Sequence, residues 1–308
     1  MNNKLARLPL LACIAIFAGL AYSQVSSAPQ TPTPQPTSIP GADSRVYKKV
    51  GDTQLMLHIF RPTERKAGER LPAIVFFFGG GWVSGTVNQF VPQSKYLAER
   101  GMVAIVADYR VKSRHGVTPM ECVTDAKSAI RWVRMHAIEL GIDDKRIVAA
   151  GGSSGGHLAA CTALLKGLEE KNEDLKISSV PNALVLFNPA LDFSDLRKRL
   201  PADRVGPIGD LGDRAMEISP IHHVNPGAPP TIIFHGTGDT TVPFEQAARF
   251  CEEMKKQGNR CEVVPFEGRP HAFFNYGRGD NTDYRETLRK TDEFLISLKY
   301  LKDEPKIR

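Results

Sequence analysis

Residues 147–160 read IVAAGGSSGGHLAA. A short apolar run, Ile147 to Ala150, meets a knot of glycines and serines, and small residues at helical spacing follow at once. An apolar run, a tight corner and a helix, with a serine at the corner, is the sequence form of a nucleophile elbow. Glycines two before and two after the serine leave room where neighbouring Cβ atoms would collide. The serine itself takes a strained backbone conformation that pushes its Oγ into the open. The pattern G-x-S-x-G fits twice, around Ser153 and around Ser154. Strand alternation does not choose between them, because a central parallel strand is buried on both faces. Ser153 is preferred, since that register leaves the Ser154 N–H to face an oxyanion and puts Gly155-Gly156 at the start of the helix. The match is weak by itself, because a Gly-Ser cluster in a surface loop looks the same.

The partners carry more weight. A serine hydroxyl is a poor nucleophile at neutral pH and needs a base, best a histidine held by a carboxylate. Residues 231–243 read TIIFHGTGDTTVP and put Asp239 in the turn just past an apolar strand. Residues 261–274 read CEVVPFEGRPHAFF and put His271 just past the last strand. Both then lie at the carboxyl edge of a parallel sheet, where open α/β folds bind ligands. The chain order Ser153, Asp239, His271 is the serine, acid, base order of one large hydrolase fold. An oxyanion site needs preorganised N–H donors. Gly79-Gly80-Gly81-Trp82 follows an early strand, so the N–H groups of Gly80, Gly81 and Ser154 are the expected donors. A plain glycine turn is the alternative, which Trp82 at its exit disfavours. Bulky Trp82 and Phe90 beside this loop predict a pocket for a short acyl group.

The remaining pattern is alternating. Arg45–Val50 and Gln54–Phe60 form an antiparallel pair around Gly51-Asp52. Buried strands are expected at 73–78, 103–107, 147–150, 183–187, 231–234 and 261–266, and helices at 92–100, 119–140, 244–257 and 284–301. This is an α/β chain: a mostly parallel sheet with helices on both faces. Roughly forty residues separate two of the strands, more than a crossover needs. That stretch, about 190–229, is expected to form a lid over the site, with a decorated crossover as the plainer alternative.

The chain has 308 residues, 42% of them hydrophobic and 24% charged, enough for one sizeable core. Its formal charge of +6 is spread without a basic run, so neither nucleic acid nor an anionic membrane is indicated as a partner. Lys4 and Arg7 precede an apolar stretch, Leu8 to Ala21, that is short for a membrane span, and small residues follow. Residues 1–28 are therefore expected to be a signal peptide, cleaved after Ser23 or Ala28, with an uncleaved anchor as the alternative. The chain would then be periplasmic or secreted. Leu10-Leu11-Ala12-Cys13 looks faintly like a lipobox, but the apolar run continues past it. Residues 29–44 form a Pro-rich linker without a core of its own, and 45–308 the folded domain. Export permits disulfides. Cys251 and Cys261, across a short turn, are expected to pair, and Cys122 and Cys161 to be buried thiols. No metal-ligand spacing, phosphate loop or dinucleotide fingerprint appears, so no cofactor or metal is expected.

Phe78-Gly79-Gly80-Gly81-Trp82, Asp108-Tyr109-Arg110, Gly151-Gly152-Ser153-Ser154-Gly155-Gly156, the HGTGD turn and the Gly268-Arg269-Pro270-His271 turn together resemble an α/β-hydrolase carboxylesterase. The branch is that of hormone-sensitive-lipase-like and acetylxylan-esterase-like exported bacterial esterases, over residues 45 to 300. The resemblance implies an oxyanion hole at Gly80, Gly81 and Ser154 and a nucleophile at Ser153. Two departures matter. Phe78 stands where the family's HGGG motif has histidine, so another brace is needed for the loop. Ser154 replaces the usual alanine, which leaves the backbone N–H intact. The expected activity is serine carboxylic-ester hydrolysis through an acyl-enzyme, on short, acetyl-type esters of small molecules or acetylated polysaccharide.

Two rivals follow from the same residues. A prolyl-oligopeptidase-like peptidase shares the fold and triad, but the chain has no room for the usual propeller. A non-catalytic binding module usually loses a triad member, and all three are present. Other polar groups have plainer readings. His157, behind the elbow, is expected to be structural, His235 a turn residue, and His222 and His223 surface groups. Asp108 and Arg110 brace loops, Asp125 pairs with an arginine, and Asp192 is a fallback acid. Arg278-Gly279-Asp280 spells an adhesion tripeptide by chance.

Overall fold

All seven residues of Leu71–Phe77 (LPAIVFF) are buried, and a strand apolar on both faces needs a layer on each side. The computed structural model describes residues 34–66, 68–199 and 206–307. The expected signal segment and the first residues of the expected linker lie outside the described residues. Eight strands form one sheet: β1 (Asp43–Val50), β2 (Thr53–Phe60), β3 (Leu71–Phe77), β4 (Val103–Ala107), β5 (Ile142–Gly152), β6 (Ala183–Phe187), β7 (Thr231–Gly236) and β8 (Cys261–Phe266). Their order is β1-β2-β4-β3-β5-β6-β7-β8. β1 and β2 are antiparallel, β2 meets β4 antiparallel, and all other neighbours are parallel.

That order distributes the helices. Helix α1 (Val91–Glu99) connects β3 to β4, and α3 (Pro119–Met135) connects β4 to β5 in the opposite direction along the sheet; a short turn of helix, α2 (Lys112–His115), precedes it. Right-handed crossovers therefore put α1 and α3 on opposite faces. Following α4 (Ala137–Leu140), α5 (Ser154–Leu164) runs from β5 to β6 and packs with α3. In the crossover from β6 to β7 lie α6 (Phe193–Arg199) and α7 (Pro207–Asp210), with further short helical turns. After β7 come α8 (Phe244–Lys256) and, last, α9 (Thr282–Ser297). α9 joins the α1 face, where Asp292 receives hydrogen bonds from Tyr96 and Arg100.

Two expectations need correction. The helix expected over 119–140 stops at Met135, and Ala137–Leu140 form a separate turn. His136 leaves helical geometry at φ −98° and ψ 15°, with its ring stacked on Trp132 and its Nδ1 2.9 Å from the Trp132 carbonyl. Ala137 and Leu140 remain buried, so the apolar period runs on through the break and hides it. The linker expected over 29–44 is also not free of the domain. Ile39 is buried in the core, the Gln35 side chain bonds the Gly85 carbonyl and the Val87 N–H, and β1 already begins at Asp43. Cys251 and Cys261 are disulfide-bonded, while Cys122 and Cys161 are buried free thiols. Among the described residues no helix is long and apolar enough to cross a membrane.

Candidate active site

Five loops leave the carboxyl ends of β3, β5, β6, β7 and β8, and they build one site. At the end of β5, Ser153 adopts φ 55° and ψ −120°, a conformation rarely open to a side chain. Its neighbours must be glycine. A Cβ on Gly151 would lie 2.4 Å from the Gly155 carbonyl oxygen, and one on Gly155 would lie 2.1 Å from that of Phe77. The Ser153 N–H bonds the Phe187 carbonyl at 2.9 Å, continuing the β5–β6 ladder one residue past the strand. Ser154 opens α5 with its side chain buried, so of the two serines Ser153 carries the accessible hydroxyl.

His271 Nε2 lies 2.9 Å from Ser153 Oγ and His271 Nδ1 lies 2.6 Å from Asp239 Oδ2. The carboxylate can only accept, so the Nδ1–H donates to it and Nε2 is free to accept from the serine. Asp239 is held from every side. Its Oδ1 accepts the N–H groups of Thr241 and Val242 at 2.9 Å each, and His235 Nε2 lies 3.4 Å from Oδ2. Burial pushes the carboxyl pKa up, but the hydrogen bonds of His235, His271 and the Val242 N–H, with the His271 charge, outweigh it. The Asp239 carboxyl therefore stays well below the usual carboxylate range.

The glycine loop after β3 has positive φ at three successive residues, 137° at Gly80, 63° at Gly81 and 61° at Trp82, and only Trp82 carries a side chain there. Among the described residues the N–H groups of Gly80 and Gly81 have no acceptor in the chain. The Ser154 N–H, in the first turn of α5, has no intrahelical acceptor either. With Phe78 in place of histidine, three other contacts brace the loop. The Phe78 ring stacks on Tyr109 at 4.1 Å, and Tyr109 Oη donates to the Phe78 carbonyl at 2.7 Å. The Gly79 N–H donates to Gln89 Oε1 at 2.6 Å, and Gln89 Nε2 donates in turn to Asn275 Oδ1 at 2.9 Å. One glutamine thus ties the glycine loop to the loop of His271.

Beside Ser153 lies a cavity of about 200 Å³, walled by Trp82 and Val83 from the glycine loop, by Leu196, Pro207 and Ile208 from the expected lid, and by Val242. Residues of the insertion thus form part of the wall of the cavity beside Ser153.

The sequence model of the BD-FAE family matches residues 57–254, well over half of the chain. The chain belongs to this family. The model of the dienelactone hydrolase family also matches residues 214–301, the part that holds Asp239 and His271. The apo structure of Thermogutta terrifontis esterase 2 is 56% identical, with a TM-score of 0.81, over 86% of this chain and 97% of that one. The same esterase has been solved with propionate bound, at 56% identity, and with butyrate bound, at 55% identity, both at a TM-score of 0.80 and the same coverage. The curated esterase LipC of Mycobacterium tuberculosis is 32% identical over 66% of this chain and 53% of its own length. The chain spans about half the length of the curated relatives it matches. Together with the sheet order, these likenesses give the chain the α/β-hydrolase fold.

In this BD-FAE chain the remaining polar residues fall as follows. Asp192 does not face His271; its Oδ1 accepts from Ser194 Oγ at 2.6 Å and from the Asp195 N–H at 3.1 Å, capping α6. Asp125 pairs with Arg110 at 2.8 Å and with Lys48 at 2.8 Å. His235 is buried and donates from Nε2 to the Val242 carbonyl, besides its contact with Asp239. His222 is exposed, 3.9 Å from Asp192. Arg278 of the tripeptide donates to the His271 carbonyl at 2.8 Å. Sequence reasoning missed Gln89, Asn275 and Asn188. The Asn188 Oδ1 accepts the N–H of Ala272, next to His271, at 3.0 Å. Only its position directly after a buried strand, at the carboxyl edge, could have singled it out.

Proposed function

We propose that this chain is a serine carboxylic-ester hydrolase that takes short acyl groups, acetyl among them. The reading rests on one observation: Ser153 Oγ, His271 and Asp239 form a continuous hydrogen-bonded chain at 2.9 and 2.6 Å. Ser153 attacks the ester carbonyl and His271 Nε2 takes the serine proton. Asp239 holds the ring in its Nδ1–H tautomer and stabilises the imidazolium. The N–H groups of Gly80, Gly81 and Ser154 receive the oxyanion. His271 then gives its proton to the leaving alkoxide, and water releases the acyl group. The short acyl preference draws on the small cavity beside Ser153, and on the propionate and butyrate bound to the related esterase. We assign the chain to an exported compartment on Lys4, Arg7 and the apolar stretch after them, and offer acetylated polysaccharide as a natural ester for such a site.

The test is p-nitrophenyl acetate hydrolysis by the purified chain. Ser153→Ala should lower kcat by about 10³-fold or more. Ser154→Ala, which changes a buried side chain and keeps the N–H, should stay within about threefold of the parent. Full activity in Ser153→Ala would remove the assignment.

A further inference from the structure

His157 is fully buried on α5, one turn after Ser153, and its N–H bonds the Ser153 carbonyl at 3.0 Å. Its two ring nitrogens reach two different parts of the site. The Trp82 Nε1–H donates to His157 Nδ1 at 3.2 Å, and His157 Nε2 lies 2.7 Å from the Ile218 carbonyl, inside the insertion. An indole N–H can only donate and a carbonyl can only accept, so the ring is fixed as the neutral Nε2–H tautomer. Aromatic contacts close the same triangle. Trp82 meets the rings of His157 and Phe193 edge-on at 5.3 and 5.2 Å, and His157 stacks on Phe193 of α6 at 4.6 Å. One imidazole therefore clips the glycine loop and the insertion to the helix that carries the nucleophile.

Those two parts wall the cavity of about 200 Å³ beside Ser153. His271, which must protonate the leaving alcohol, does not line it, so the acyl chain is the part of an ester that enters there. The space is that of about six or seven water-sized groups, at about 30 Å³ each, and the carbonyl centre takes part of it. We infer that His157 is a positioning residue that sets the acyl length this site accepts, by holding Trp82 and the insertion at a short separation. The inference rests on the esterase reading above. Without the imidazole, the buried indole N–H loses its acceptor, and the Ile218 carbonyl keeps only the weak Cys161 thiol donor at 3.6 Å. That state is relieved when the indole and the insertion move apart to find other partners.

The experiment measures kcat and KM for p-nitrophenyl acetate, butyrate, hexanoate and octanoate with the purified full chain. The parent should fall off steeply beyond butyrate. In His157→Phe the ratio of hexanoate to acetate kcat/KM should rise about tenfold, the size expected for admitting two further methylenes. The rise should come through a lower KM for hexanoate. Trp82→Phe removes the indole donor and should move the ratio the same way, and it decides the matter if His157→Phe does not fold. His157→Gln, with an amide that can accept and donate, should return the ratio towards the parent. An active parent whose ratio is unchanged in both Phe variants overturns this proposal alone. A parent that turns over none of the esters overturns the esterase reading and this proposal with it.

Discussion

At the scale of single residues, buried partners hold Asp239 charged and His157 neutral. Asp239 keeps its charge because its hydrogen-bond partners outweigh its burial: Oδ1 meets two backbone N–H groups and Oδ2 meets His271, with His235 close by. His157 is held in the opposite sense. Burial pushes its pKa down to about 4, against the Ile218 bond that raises it. An unfolded histidine binds its proton near pH 6.5. Between those two values the unfolded chain holds more protons than the folded one, so stability falls as pH falls through that window. The loss traceable to His157 is roughly 3 kcal/mol by pH 4. His157→Gln should lack that share. Urea unfolding at pH 7, 5.5 and 4.5 should show a flatter curve for the variant, and parallel curves would refute this account of the ring.

At the scale of elements, the β5–α5 corner leaves no room for a Cβ at its glycines. A Cβ on Gly155 would meet the backbone oxygen of Phe77 at 2.1 Å, and a strand backbone inside a central sheet cannot step aside. Gly155→Ala should therefore cost about 3 kcal/mol or more and reduce soluble yield, read as a lowered Tm. The corner and the strands were legible because they are local. A run such as Ala183–Phe187 is buried from end to end, and its apolar composition says so. The break in α3 at His136 was not legible, because Ala137 and Leu140 stay in phase with the buried face.

At the scale of the whole molecule, the Cys251–Cys261 bridge ties α8 to the start of β8, at the edge of the sheet away from His271. Closing a loop with a sequence separation of 10 removes about 3 kcal/mol of unfolded-chain entropy. The double variant Cys251→Ala/Cys261→Ala should melt about 5–10 °C lower in calorimetry. Its ester hydrolysis at 25 °C should stay within about twofold of the parent, since the bridge touches none of the site loops. An unchanged Tm would show that the bridge adds nothing to stability. The insertion shows the other side of this scale. Its length alone marked it as an oddity, while only the structure brings Leu196, Pro207 and Ile208 to a common cavity with Trp82 and Ser153.

The sequence by itself determined what is local: the alternation of buried strands and helices, the glycines that the corner requires, and the residue types at the carboxyl ends of β5, β7 and β8. Burial period and turn chemistry are written within a few neighbouring positions, so they can be read without knowing where the chain goes. Only the tertiary structure shows that the Ser154 side chain is buried while Ser153 Oγ stands beside His271, because that depends on how distant loops meet at the corner. It also decided how the glycine loop is braced without its histidine. Gln89 and Asn275 are separated by 186 positions, and His157 and Ile218 by 61. Strand order brings such pairs together, and no local pattern encodes a partner that far away.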